Sequence, residues 1–270
     1  MGELLRELRK HLLIYGLFVK NSLIAQMEYR FNFIGNIIME SGYLLVKLSY
    51  VAVVYRSGVS INGLSPDEIL LFVGTFVLLT GVYAGFFMLN NFYLRTLVRD
   101  GDLDLLLTKP ISLQFFATLR RTDLGLFGID FVAGAVMIAI AWARLAIPLN
   151  LATLGGFAIF LGVSAVIGYC LFLLPNILSF WFTDASAIAS ATDSFWDFNN
   201  MPMQLYSPAV QFVGVFLLPI FMVTNFPPMM ALGKMPPAYL AWSAAAPLLL
   251  LGLVRLFWRQ GLRSYSSASS

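Results

Sequence analysis

Three charged side chains sit where few charges belong. Glu40 and Lys47 fall inside an apolar stretch at 33–55, and Asp130 inside another at 124–143. Seven residues apart on a helix, Glu40 and Lys47 share nearly one face, two turns apart. Ionisable groups in apolar surroundings usually face a bundle interior or a pathway, or reach back to the boundary along a long side chain. The chemistry open to these three is ion pairing with each other or contact with something that passes between helices. A second, denser group is Arg99-Asp100-Gly101-Asp102-Leu103-Asp104-Leu105-Leu106-Leu107-Thr108-Lys109-Pro110. Gly101 between charges predicts a turn with positive φ. Pro110 predicts the start of a short helix, with Leu113, Phe116 and Leu119 spaced to share a face. A merely solvated connector has no use for four leucines. Such a loop is either a docking element for a cytosolic partner or a segment lying on lipid.

Other chemistry is missing. His11 is the only histidine and Cys170 the only cysteine, so no intramolecular disulfide forms. Little remains with which to build a zinc site or a Cys-His nucleophile. There is no phosphate-binding G-x-x-x-x-G-K-[ST] loop, no G-x-G-x-x-G and no H-E-x-x-H, and no G-x-S-x-G elbow. The chain is expected to be no enzyme and to carry no cofactor. If ATP drives it, another polypeptide binds the ATP.

The elements that must position these residues are long and apolar. The 270 residues are 59% hydrophobic and 11% charged, too few charges to cover a water-facing surface. A helix crossing ~30 Å of hydrocarbon needs about 20 apolar residues. Six stretches qualify, at 33–55, 69–89, 124–143, 151–182, 208–226 and 237–254. Residues 151–182 are too long for one upright crossing, and Pro175-Asn176 predicts a kink or break. Ahead of these, Leu4, Leu8, Leu12, Tyr15, Val19, Leu23 and Met27 make an apolar stripe over 3–30 among basic residues. That pattern fits a helix lying along a membrane surface, or one packed on the protein's own body. No cleavable leader is expected, because Glu3 and Glu7 interrupt the basic start. The fold expected is therefore an all-α integral membrane protein in one domain, with a flexible tail at 264–270.

Orientation follows from the bases. With both ends inside, the inner segments hold Arg6, Arg9, Lys10, Lys20, Arg30, Arg95, Arg99, Lys109, Arg120, Arg121, Arg255, Arg259 and Arg263; the outer ones hold only Arg56, Arg144 and Lys234. The positive-inside rule selects that arrangement. It places 183–207 inside, although that loop carries Asp184, Asp193 and Asp197 and no base. The largest soluble segment, 95–121, is then cytoplasmic.

Aromatic and sulfur-bearing residues gather on the second and fifth stretches: Tyr83, Phe86, Phe87, Met88, Phe212, Phe216, Phe221 and Met222. Such faces suit hydrophobic or amphiphilic ligands and cations, and equally suit helix packing. Five prolines, Pro219, Pro227, Pro228, Pro236 and Pro237, interrupt the region before the last stretch. They are incompatible with one straight helix.

The phrase Arg99–Pro110 resembles the cytoplasmic signature of ABC type-2 exporter permeases. Leu218-Pro-Ile-Phe-Met-Val-Thr-Asn-Phe-Pro-Pro228 and the tail Arg263-Ser-Tyr-Ser-Ser-Ala-Ser269 are similar to stretches of their bacterial six-span branch. The resemblance implies six transmembrane helices, an N-terminal interfacial elbow helix, a cytoplasmic coupling helix and a re-entrant Pro-rich segment before the last span. It places ATPase coupling at Arg99, Asp100, Gly101, Asp102, Leu103, Asp104, Leu105, Lys109, Pro110 and Phe116. It places a dip into the outer leaflet from Asn225, Phe226 and Pro227 to Pro237. With the residues read above, a pathway or gate is expected from Glu40, Lys47, Tyr83, Phe87, Asp130, Phe216, Phe221, Met222, Asn225, Phe226 and Pro227. The implied assembly sits in the bacterial cytoplasmic membrane with both termini in the cytoplasm. Two permeases, alike or different, pair above a dimer of cytosolic ABC ATPases that hold the ATP and Mg. Nucleic acid has no part in it. The expected cargo is hydrophobic, amphiphilic or drug-like. Two rival readings are a secondary active transporter and a membrane assembly protein that transports nothing.

Overall fold

The structure, a computed structural model, describes residues 2–265 apart from 59, 61, 183–186, 188–189 and 191–193. Asp184, Asp193 and the tail beyond Tyr265 thus lie outside the described residues. Within them every regular element is a helix. Helix α1 (Gly2–Glu28) is separated from α2 (Arg30–Ser57) by Tyr29 alone. Leu8, Leu12, Leu23 and Met27 of the α1 stripe are exposed. The face that packs on the body is instead His11, Tyr15 and Phe18, whose rings meet Phe115 and Phe116.

Helix α3 runs from Pro66 to Arg99. Ser65 and Glu68 start it with a reciprocal capping box, and Pro66 sits in its first turn, where its missing N–H costs nothing. The helix passes the expected end at residue 89 and carries Arg95 and Arg99 out of the apolar stretch. A π-helical turn at Ala84–Met88 interrupts it. Short helices α4 (Leu103–Leu107) and α5 (Leu113–Leu119) follow. Pro110 does not begin α5. Ser112 does, its hydroxyl accepting from the Phe115 amide at 3.4 Å, because a side-chain oxygen at that position satisfies an otherwise orphaned amide.

Helix α6 (Leu124–Arg144) is started by Asp123, whose Oδ1 accepts from the Gly125 and Leu126 amides. It lies along α3 at backbone distance. A Cβ added to Gly134 would lie 2.6 Å from the Leu78 nitrogen and 2.7 Å from the Gly74 oxygen. Close approach through small residues is how helices associate where no hydrophobic force separates lipid from protein. Helix α7 (Leu151–Ile177) starts from an Asn150–Thr153 capping box, continues through Pro175 and tightens into a 3₁₀ turn at Leu178–Phe180. The kink or break expected at Pro175 is thus a change of winding that begins three residues later, at Leu178.

The fifth expected span is divided. Helices α8 (Pro208–Leu217) and α9 (Ile220–Ala231) meet at 97°. The bend falls at Leu218-Pro219, ahead of Asn225, Phe226 and Pro227, which lie inside α9. Pro219 carries the break because it follows a π-helical turn at Val213–Leu217, where the regular bonding has already lapsed. The last helix, α10, runs from Pro237 to Ser264. Among the described residues five helices are long and apolar enough to cross a membrane, six if the bent pair counts as one span.

The loops at 56–68, 144–150 and 227–236 come together at one end, as expected. Arg144 pairs with Asp67 at 3.6 Å, and Lys234 with Glu68. The loop 183–207 was expected at the opposite end, and its second half is not there. Asn62, between α2 and α3, donates to the Gln204 carbonyl at 2.9 Å. Residues 194–206 therefore thread through the helical body toward the 56–68 end. Met203 is buried there and Trp196 and Tyr206 are partly covered, whereas Phe195, Phe198 and Met201 stay exposed, and polar partners satisfy the backbone. The Met203 amide donates to Asn225 Oδ1 at 2.9 Å, and Thr224 donates to Asn199 Oδ1 at 2.7 Å. Non-helical backbone within an apolar body needs such partners.

Candidate functional site

A cavity of about 650 Å³ opens between α2, α3, α6 and the threaded segment. Four of its lining residues are ionisable: Glu40, Lys47, Asp130 and Asp197. Its walls include Tyr43, Phe76, Tyr83 and Trp196. Each wall has a local cause. Gly81 lets α6 come so near that a Cβ there would sit 2.6 Å from Asp130 Cβ, which fixes Asp130 against α3. Trp196 stacks on Tyr83 with ring centres 5.0 Å apart, and both touch Phe172 of α7. The π-helical turn after Tyr83 adds a residue to α3. The Gly85 carbonyl there accepts from the Asp123 amide at 2.7 Å, pinning the start of α6. Inserted turns of this kind recur at functional sites.

The charges do not pair as the sequence suggested. Glu40 and Lys47 stand two turns apart, roughly 10 Å along the helix axis, and turn to different partners. Glu40 lies within side-chain hydrogen-bonding reach of Asp130. Asp130 is 3% exposed, and its Oδ2 has no hydrogen-bond partner. The Lys47 ammonium donates to Asn200 Oδ1 and lies 4.6 Å from the centre of the Phe76 ring. Asn200 in turn donates to Asp197 at 3.3 Å.

Of the residues expected on a pathway, Glu40, Lys47, Tyr83 and Asp130 meet here, and the others do not. Phe87 packs edge-on to Tyr169 in a separate groove of about 400 Å³ beside α5. Phe216 packs against Tyr239 and Trp242. Met222, Phe226 and Pro227 are buried in α9. Phe221 lines a small apolar cavity of about 310 Å³ with Phe195 and Phe198. Asn225 supports the threaded backbone. Sequence reasoning missed Trp196, Asp197 and Asn200, because the loop was read for its charge and its aromatic residues went unused.

The second candidate region is the segment 99–121. Gly101 takes a φ of 80°, as its place between charges predicts. The leucines divide. Leu103 is 0% exposed and anchors the turn, whereas Leu105 is 66% exposed. Leu107, Lys109 and Pro110 are exposed too. The result is an apolar ledge backed by core packing. Asp100 bonds Arg99 at 2.8 Å, and that guanidinium holds its carboxyl below the usual range. Phe116 faces inward to Phe18, with Arg120 across its ring.

The ledge is tied to the body. Arg255 of α10 donates to Gln114 at 3.0 Å. Gln114 donates to the Tyr169 hydroxyl at 3.3 Å, and Thr118 meets the same hydroxyl at 3.0 Å. Asn90 of α3 clamps the Arg121 peptide, accepting from its amide at 2.8 Å and donating to its carbonyl at 2.7 Å. From α1, Gln26 donates to the Thr122 carbonyl at 2.6 Å. Just past the C-terminus of α10, Tyr265 lies against Phe180 and beside Asp104; burial first, and that carboxyl second, raise its phenol above the ordinary value. Helix α5 and the residues just after it are thus hydrogen-bonded to α3, α7 and α10.

A sequence model of ABC-2 family transporter proteins matches residues 41–269. No curated protein and no solved structure matches the chain.

Proposed function

Because the chain belongs to the ABC-2 family of transporter proteins, a family of membrane permease components, we propose that it is the transmembrane subunit of an ATP-driven exporter. ATP and Mg are held and hydrolysed by a separate dimer of ABC ATPases, one subunit of which docks on this chain's ledge at Leu105, Leu107, Lys109 and Pro110 and the other on a second permease, alike or different. One observation carries this reading: an exposed apolar ledge rigidly wired to three long helices. A connector merely solvated by water has no reason to expose Leu105 over an anchored Leu103, and the capture test below separates a docked partner from a ledge resting on lipid.

The passage is the cavity between α2, α3 and α6, and the cargo is hydrophobic or amphiphilic. The proposed setting is the bacterial cytoplasmic membrane with both termini in the cytoplasm, following the distribution of Lys and Arg. Helix α1 then lies at the inner interface as an elbow, its uncovered leucines in lipid. Only 11% of the apolar window of α2 is buried, leaving that helix for lipid or for a second permease. The bent α8–α9 pair takes the part of the re-entrant segment.

The test is co-purification of the tagged chain with a co-expressed ABC ATPase, scored as Mg-dependent ATP hydrolysis in the captured complex. Leu105→Asp should abolish capture, and Glu40→Gln should leave it intact. Capture unaffected by Leu105→Asp sinks the docking assignment. The meeting of Glu40 and Asp130 in one cavity favours a second reading, ion-coupled transport. It wins if vesicles holding the chain alone accumulate cargo on a proton gradient.

A further inference from the structure

Lys47 occupies its cavity in the manner of a ligand. Its ammonium lies over the Phe76 ring, is held by Asn200, and is faced through Asn200 by Asp197. An ammonium over a ring face is attracted by the ring's quadrupole, and here an amide adds a hydrogen bond. The cavity can therefore hold an organic ammonium, because it already holds one. Beyond that cation, the walls offer two further carboxyls, Glu40 and Asp130. The deeply buried Asp130 keeps an unpartnered Oδ2. Buried polar atoms without partners are rare and ask for an explanation. Tyr43, Tyr83 and Trp196 supply further ring surface.

Among the described residues no three His, Cys, Asp or Glu side chains converge as a metal ion requires. The volume, about 650 Å³, is that of a site for a drug-sized molecule. Glu40 and Asp130, close enough to share a proton, and Asp197, set against one ammonium among rings, leave a net negative charge that selects positive charge on a bulky apolar frame.

We propose that the cavity between α2, α3 and α6 binds amphiphilic organic cations, with Lys47 as a resident cation that the ligand's charge displaces from Phe76 and Asn200. Glu40 and Asp130 then take the incoming charge, and Tyr83 and Trp196 its apolar body. The proposal deepens the transport reading by naming the class of cargo. It makes one counter-intuitive demand: removing a positive charge at Lys47 must strengthen cation binding.

The experiment measures equilibrium binding of radiolabelled tetraphenylphosphonium to the full chain in lipid nanodiscs, with empty nanodiscs subtracted. Tetraphenylborate, the same shape with opposite charge, is the competitor. Wild type should bind the phosphonium saturably and one to one, and tetraphenylborate should fail to displace it. Lys47→Met should tighten binding by about three- to tenfold, the removal of one screened charge. Glu40→Gln with Asp130→Asn should weaken it by about tenfold or more. A gain of affinity cannot come from misfolding, so Lys47→Met is the deciding variant. Binding unchanged or weakened in Lys47→Met overturns the proposal, as does displacement by tetraphenylborate or an absence of saturable binding. The assay contains no ATPase. Its failure thus leaves the ATPase-capture result standing, and failure of that capture leaves this one standing.

Discussion

The contact of α3 with α6 sets the position of Asp130, and it rests on backbone lying against backbone. Gly134→Ala tests this. Its new Cβ would stand 2.6 Å from the Leu78 nitrogen and 2.7 Å from the Gly74 oxygen. Neither neighbour is a side-chain end that can swing away, so the helices must part by roughly 1 Å to reach ordinary contact distance. Overpacking of this kind costs about 1–3 kcal/mol. Against it stands the helix-propensity gain of Ala over Gly, about 1 kcal/mol, leaving a net loss of up to ~2 kcal/mol. For a chain of this size 1 kcal/mol shifts Tm by roughly 2–4 °C. The control is Gly168→Ala on α7, where an added Cβ meets nothing within 4 Å and only the propensity gain remains. In one detergent, followed by the near-ultraviolet signal, Gly134→Ala should melt several degrees below wild type, and Gly168→Ala at or above it. Equal melting of the two variants would refute the claim that this interface is closed by missing side chains.

Tyr169→Phe removes the hydroxyl that joins Gln114 and Thr118 of α5 to α7. It should keep ATPase capture but lower transport per ATP hydrolysed several-fold, read by paired transport and phosphate-release assays. Asn225→Leu leaves the Met203 amide unsatisfied in the interior, a loss of about 1–3 kcal/mol. It should lower Tm and quicken proteolysis within 194–206, while Asn200→Ala, at the cavity edge, should alter cation binding with little change in Tm.

That the chain is all helical with several stretches long and apolar enough to span was legible because bilayer thickness dictates them, and the turn at Gly101 because only one residue type enters that region of φ freely. The capping of α3 and α7 was equally open to local reading, through Ser65-Pro66 and Asn150. The course of 194–206 was not. Three aspartates in a segment without bases suggest water, but Asp184 and Asp193 precede the threaded part. What governs the rest is Trp196 and Met203, which find cover, and Asn199, whose partner Thr224 is 25 residues away. Long-range pairing of that kind leaves no period in the sequence. The same limit misassigned the N-F-P residues. Their prolines were read as the break, but a proline breaks a helix only where packing does not hold the turn together. At Asn225–Pro228 the neighbours hold it, and at Leu218-Pro219, after a π-helical turn, they do not.

Helix α3 joins the two regions, for it carries Tyr83 and Met88 on the cavity and ends at Arg99 on the ledge. Between them lies the π-helical turn at Ala84–Met88. One extra residue there rotates everything beyond it by about 100° relative to an unbroken helix. That rotation puts Asn90 in place to hold the Arg121 peptide and presents the Gly85 carbonyl to Asp123. Deleting Phe86 should restore plain α-helix, turn Asn90 away from Arg121 and misplace the ledge without touching Lys47, Phe76 or Trp196. The expected result is a chain that still binds tetraphenylphosphonium within a few-fold of wild type but no longer captures the ATPase. If the deletion leaves capture intact, the ledge does not take its position from the cavity helix, and motion at the ATPase must reach the passage by way of α7 and α10 alone.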